Sequence, residues 1–299
     1  MRPDEPGRGD DQQPDTRPYL CIPYWTDPIT DGGSWDDGSR RGLPAQVLSW
    51  ACPSIHAGDY TPGRPLEVTV EVRNSGGGNA AAAATVVVYW ADPTVGFAKP
   101  TFFAAATVAA PPDRTTPATA TTATMTATIP ATAPAHVCLL AVVSHPQDRA
   151  GKAADPINDR HWAQRNLMAV AAAPGAPALP RFAVANPRTE PATFQLRAGA
   201  VDERRARAAA QATGLELADT GFRVRILDAD GAGVAGPGTV AATAVDLEGL
   251  ERRDFQLLAE VDGDLAAGTA VVLEVLLVTG NGEGDVVGSL AVQLVAEER

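Results

Sequence analysis

"LEVTVEVRNSGGGNAAAAATVVVYWAD" (66–92) is the stretch from which the rest of the chain can be read. Leu66, Val68, Val70 and Val72 alternate with Glu67, Thr69 and Glu71, the period of two expected of a strand with one face buried and one wet. "RNSGGGNA" (73–80) supplies the turn, and "ATVVVYWAD" (84–92) reads as the returning partner strand.

Working outward, the same grammar recurs. "QVLSWACPS" (46–54) is expected to lead as a strand. "FFAAATVA", "TATTATMTATI" (119–129), "HVCLLAVVSH" (136–145) and "QRNLMAVAA" (164–172) follow, giving seven strands. "HVCLLAVVSH" is apolar at nearly every position, as a central strand covered on both sides would be. "HPQDRAGKAADPINDRH" (145–161) is a long polar connection of the kind that often carries recognition. "AAAPGAPALP" (171–180) reads as a hinge, after which seven more candidate strands begin at "RFAVANP" (181–187). The exception is "VDERRARAAAQATGLEL" (201–217), where Asp202 can cap a short helix and Gly214 can end it.

The predicted fold class is therefore all-β: two tandem immunoglobulin-like β-sandwiches with one short helix in the second. The expected divisions are a disordered tail over 1–18, a first sandwich over 19–173, a Pro/Ala linker over 174–180 and a second sandwich over 181–299. A length of 299 residues suits two domains. Apolar residues make up 45% but aromatics only 5%, so both cores must be built mainly from Ala and Val.

"VEVRNSGGGNAAAAATVVVYWADP" (70–93), "HVCLLAVV" (136–143) and "NDRHWAQRNL" (158–167) together resemble a recurrent bacterial module, the CARDB-like (cell-adhesion-related) immunoglobulin-like domain. "PYWTDPIT" is similar to the lead-in of that module. The resemblance covers residues 19–172 and implies a β-sandwich used as a spacer, an adhesive unit or an accessory domain. A weaker immunoglobulin-like resemblance for the second half rests on "FAVANP" alone. Fold analogy of this kind implies no particular chemistry.

Charge narrows the partners. A net charge of −12 opposes phosphate binding, so no nucleic acid is expected, and adsorption to anionic lipid is equally disfavoured. No apolar run approaches the roughly 18 residues of a membrane span, so no membrane insertion is expected. The first residues contain no apolar core of a secretory signal, which leaves the location open between a cytoplasmic protein, a chain whose signal has been removed and part of a particle released by another route.

A search for reactive groups finds little. No G-x-S-x-G elbow occurs. Cys138 and His136 lie two apart on one strand and read as a core thiol beside a strand-end histidine. His56, His136, His145 and His161 are scattered, without zinc-ligand spacing. "DADGAG" (228–233) starts like a calcium loop, but Thr239 stands where the closing Glu is required, so a hairpin turn is expected. No catalytic residue, metal or cofactor is expected.

One stretch stands apart. "IPYWTDPITDGGSWDDG" (22–38) gathers Tyr24, Trp25 and Trp35 with Asp27, Asp31, Asp36 and Asp37. These residues could stack a sugar ring and bond its hydroxyls, or the carboxylates could hold calcium. They could equally be the arm by which an alanine-rich core recruits large aromatics, or by which a neighbouring subunit is engaged. The favoured role is packing, with Trp25 and Ile29 lying along the sandwich, while the "DGGSWDDG" loop (31–38) and its carboxylates are expected to stay wet as the candidate contact surface. Cys21 and Cys52 are the pair that could form a disulfide, leaving Cys138 over. The expected function is a non-catalytic structural or interaction protein that binds protein partners or self-assembles in a bacterial surface or particle-like assembly. The alternatives are a glycan-binding or adhesive module and, last, a hydrolase with an unfamiliar site.

Overall fold

The computed structural model describes residues 16–25, 35–44, 47–112, 119–134, 136–167, 170–172, 177–280, 282 and 284–296. Twenty strands and one helix form among them, arranged in four sheets.

In the first sheet, β1 (Leu20–Cys21), β2 (Ile55–Ala57) and β3 (Pro65–Asn74) lie in the order β1-β3-β2. Its facing sheet begins with β4 (Ala82–Ala91), while β5 (Thr94–Val95) leaves for the second half and β6 (Thr101–Ala110) returns as the partner of β4. β7 (Ala120–Thr121) and β8 (Met125–Thr128) pair with β3. With β9 (Val137–Ser144) and β10 (Trp162–Leu167), the facing sheet runs β10-β9-β4-β6. The alternation read from 66–72 is realised: Leu66, Val68, Val70 and Val72 are buried against Val86, Val88, Leu139 and Val143. β9 is covered on both sides, with Leu139, Ala141 and Val143 in that core and Cys138, Leu140 and Val142 in the next one.

The second half begins with β11 (Val170–Ala172), β12 (Arg181–Ala185) and β13 (Ala192–Ala200). The helix α1 (Glu203–Ala212) follows, then β14 (Glu216–Leu217), β15 (Phe222–Asp228), β16 (Gly233–Gly238) and β17 (Val240–Leu247). β18 (Arg252–Val261), β19 (Thr269–Thr279) and β20 (Val286–Ala296) complete it. One sheet runs β11-β20-β19-β13-β17 with β14 beside β19, and its companion runs β16-β15-β18-β12-β5. Phe194, Leu196, Val224, Ile226, Leu257 and Leu273 fill the space between them. α1 starts as its sequence dictates, the Asp202 carboxylate accepting from Arg205 N at 3.1 Å, and Gly214 at φ +73° follows its end.

The halves are laced together. β5 pairs in parallel with β12, through Ala183↔Thr94 and Val184↔Val95. β11 pairs in parallel with β20. One core cluster runs from Val95, Phe97, Leu140 and Trp162 into the second sandwich, and a smaller one joins Leu48 and Trp50 to Val272, Ala291 and the alanines of α1.

Several expectations need correction. Residues 47–54 form turns with a single bridge, Ala51↔Arg165, because Trp50 is drawn into the second half and the strand forms later as β2. The run 119–129 breaks into β7 and β8 where Thr122 turns its hydroxyl to accept from Val70 N. The closing strand 164–172 is two strands, the later one belonging to the second half's sheet. Residues 1–15 and 173–176 lie outside the described residues. Pro18, expected within a disordered tail, is buried, and Thr16–Pro18 lie against Gly76 and Gly78 of the β3–β4 turn. Ala178, expected in the hinge, exchanges two 2.9 Å backbone bonds with Ala259.

Candidate functional site

The aromatic and acidic stretch is built around Asp36, which is 1% exposed. Its carboxylate accepts from Tyr24 N at 2.8 Å, from Gly38 N at 3.1 Å and from Arg40 Nη1 at 2.6 Å, while its carbonyl accepts from Arg73 Nη1 at 2.8 Å. Arg40, whose side chain is buried, lies over the rings of Tyr24 and Trp25, at 5.4 and 6.0 Å from their centroids. Burial weighs against the Arg40 charge, but Asp36 outweighs it and holds the guanidinium above its ordinary pKa.

Tyr24 is spent inside as well. Its hydroxyl donates to Ser49 O at 2.7 Å and accepts from Gln164 N at 3.0 Å. Burial pushes the phenol well above its usual pKa. Asp37 closes a local turn by accepting from Ser39 N at 2.9 Å. Trp35 is the member that faces solvent, 39% exposed. Asp27 and Asp31 lie outside the described residues. The structure therefore brings Tyr24, Trp25, Asp36 and Arg40 together as a packed joint, with Trp35 at its margin.

Cys21 and Cys52 are free and buried, as is Cys138. Cys21 Sγ donates to Asp36 O and Cys52 Sγ to Pro23 O. Burial pushes Cys52 and Cys138 up to about 12, and raises Cys21 further with help from the Asp36 charge. No thiolate nucleophile is poised in these surroundings.

Sequence reasoning missed a second cluster. His161, 4% exposed, places Nδ1 2.7 Å from Asp159 Oδ1 and Nε2 3.1 Å from Asp148 Oδ1. Arg160 Nη2 donates to Asp148 at 2.6 Å, its guanidinium stacks 3.8 Å from the Tyr19 ring centroid, and Leu20 N donates to the other Asp148 oxygen. Burial works against the charged imidazole, but the two carboxylates outweigh it and raise its pKa. For Asp148 and Asp159 burial is likewise outweighed, chiefly by His161, and both sit below the ordinary carboxylate value. The polar loop 145–161 thus clamps the amino-terminal strand. The signal was "DRH" beside a distant Asp148, which spacing alone does not connect.

At the joint between the halves lies an open cavity of about 340 Å³, lined by Arg41, Asp155, Asn158, Arg188 and Asp285 among others. Burial raises Asp155, whose carboxylate accepts from Asn158 N and Nδ2. Among the described residues that line the cavity there is no histidine, cysteine, serine or threonine. Among the described residues no group of three or more His, Cys, Asp or Glu could hold a metal, and no helix is long and apolar enough to cross a membrane. "DADGAG" closes the β15–β16 hairpin, with the Asp228 carboxylate accepting from Asp230 N and Ala232 N.

The fold and these clusters define a tandem β-sandwich protein whose buried ionic groups tie segments together. No family model matches the chain, and no curated protein does. Among solved structures it is similar to the CupB6 tip adhesin of Pseudomonas aeruginosa, at 12% identity over 96% of this chain and 100% of that one, with a TM-score of 0.22. It is similar to the collagen adhesin CNA of S. aureus, at 9% identity over 83% and 95%, TM-score 0.23. It is also similar to the exo-chitosanase CsxA of Amycolatopsis orientalis, at 12% identity over 80% of this chain and 26% of that one, TM-score 0.21. At such scores the resemblance adds no argument about function.

Proposed function

We propose that the chain is a non-catalytic interaction protein, two immunoglobulin-like modules (19–173 and 181–299) that work through surfaces and not through a reacting site. The carrying observation is where the ionisable groups go. Asp36–Arg40, Asp148–His161–Asp159 and Arg205–Glu274 each close a contact within the fold, and the thiols of Cys21, Cys52 and Cys138 are buried. Catalysis by a nucleophile and base needs those groups free and facing a substrate. The CARDB-like assignment of the first module is supported by its motifs falling at the ends of β3 and β4 and along β9 and β10. An accessory role in a surface or particle-like assembly suits it.

A glycan-binding reading keeps one support, the exposed Trp35. Incubation with panels of glycosides, esters and peptides, alongside a glycan array, separates the readings. The interaction reading expects no turnover. Turnover abolished by replacing a single carboxylate overturns it, and array binding lost in Trp35→Ala moves the assignment to a lectin-like module.

A further inference from the structure

Edge strands invite pairing, and most edges of this molecule are blunted. β16 contains Pro237 and three glycines. β17 carries Asp246, and Arg197 stands opposite its Ala242. The free edge of β10 is engaged by residues 50–52, through Cys52 N to Gln164 O and Asn166 N to Trp50 O. β1, β2, β5, β7, β11 and β14 are two or three residues long. β6 differs: it runs ten residues, "TFFAAATVAA", with no charge, proline or glycine, and among the described residues no strand pairs with it opposite β4.

The surface beside this edge is equally neutral. Thr85↔Thr107 and Val87↔Ala105 are paired across β4 and β6, with Ala109 beyond. Val87 and Tyr89 point away from the first core toward the side where the second half packs, so their neighbours on β6 share that outer face. The second half covers it over β9 and β10, and over β6 it stays open: Thr107, Ala105 and Ala109 are exposed and Phe102 is 60% exposed. Phe102 leans edge-on against Tyr89, 6.3 Å between centroids, and Tyr89 in turn lies on Trp162 at 6.0 Å.

We infer that β6 is a self-association edge: a second copy pairs its own β6 antiparallel to this one, joining two four-stranded sheets into one of eight. Charge selects the occupant. Two copies at net −12 repel each other wherever acidic surfaces meet. β4 and β6 offer twenty residues without a charged side chain, and a neutral edge is the complement of an identical neutral edge. Antiparallel pairing sets alanine and threonine against alanine and threonine under a two-fold axis, an isologous contact that closes at a dimer. Phe102 then covers small side chains of the partner strand.

This deepens the interaction reading and rests on it. Sedimentation velocity of the full chain from low to high micromolar tests it, with hydrogen exchange read over β6. The expected result is a reversible dimer whose β6 amides gain protection with concentration. Thr107→Lys should weaken it by about tenfold or more, the equivalent of 1.4 kcal/mol, and Ala242→Lys on β17 should leave it unchanged, circular dichroism confirming that both variants fold. A chain monomeric throughout overturns the inference, as does a dimer indifferent to Thr107→Lys or one whose protection lies elsewhere. A β6 protected only when another protein is added also overturns it. In each of those cases an absence of turnover leaves the broader interaction reading standing.

Discussion

Trp50 of the first half donates its indole N–H to Glu274 of the second, 3.3 Å from Nε1 to Oε1, on the same carboxylate that Arg205 grips with both terminal nitrogens at 2.8 and 3.1 Å. Glu274 is 5% exposed and points out of the second sandwich, on the face of β19 and β20 that α1 and residues 48–50 cover. A carboxylate so placed is tolerable only while its partners remain.

Arg205→Met should therefore destabilise the whole chain by about 3 kcal/mol, the usual result of orphaning a buried charge. Glu274→Gln should cost less, since an amide still accepts from Trp50. Urea unfolding followed by tryptophan fluorescence and by far-ultraviolet circular dichroism checks both. The shared core predicts that the two probes stay coincident in the parent, with one transition for both halves.

The clamp on the amino-terminal strand gives stability a pH optimum. His161 has a raised pKa in the fold, so its contribution is complete below its unfolded value of about 6.5 and is lost as pH rises through the folded value. Asp148 and Asp159 are lowered, so theirs is present above about 3.9 and is lost as pH falls through their folded values. Both conditions hold between about pH 4 and 6.5, and thermal midpoints should peak there. His161→Gln should flatten the alkaline limb of that profile. An unchanged limb would remove His161 from the account.

The crossing of β5 into the second half depends on two glycines. Gly96 has φ +73°, a Cβ there would stand 2.3 Å from Ala185 O, and a Cβ on Gly288 would stand 2.2 Å from Gly96 N. Gly263, also at positive φ, has open space around it. Gly263→Ala should cost about 1–2 kcal/mol for backbone conformation alone. Gly96→Ala adds an overlap with backbone that cannot yield, and should lower the urea midpoint clearly further. Equal losses would mean that the crossing is looser than the structure has it.

Three buried thiols make a further check. With Cys52 and Cys138 pushed up to about 12 and Cys21 raised as well, alkylation at neutral pH should label none in the folded protein and all three in denaturant, without reductant. Two modifications lost without reductant would reveal a Cys21–Cys52 bond in place of the separate thiols seen here.

The sequence carried the parts of the fold set by local rules. Alternation at 66–72, the two-sided apolar run of β9 and the Asp202 cap each express a period or a capping bond within a few residues, and the structure has all three. What it concealed was long-range. Nothing local marks Thr94 and Val95 as a strand, because their partners are Ala183 and Val184. Trp50 sits in a turn and is captured by a face formed more than two hundred residues later. Asp36 read as a loop carboxylate because its burial depends on Arg40 and Arg73 folding over it. The candidate binding set was legible as a cluster, while the role proposed for it, a packed joint, rests on long-range contacts that spacing does not encode.

That role can be tested on two of its own members. Tyr24 and Trp35 differ in one respect that matters: the Tyr24 hydroxyl is consumed by Ser49 O and Gln164 N, whereas Trp35 reaches solvent. Tyr24→Phe keeps the ring under Arg40 but strands a buried carbonyl and a buried amide, so a loss of about 2 kcal/mol is expected. Trp35→Ala should change stability much less, because the side chain it removes is already partly hydrated. If the stretch is a joint, Tyr24→Phe lowers the urea midpoint and neither variant alters binding on a glycan array. A Tyr24→Phe protein as stable as the parent, paired with a Trp35→Ala protein that has lost a glycan, would make the stretch a ligand platform after all.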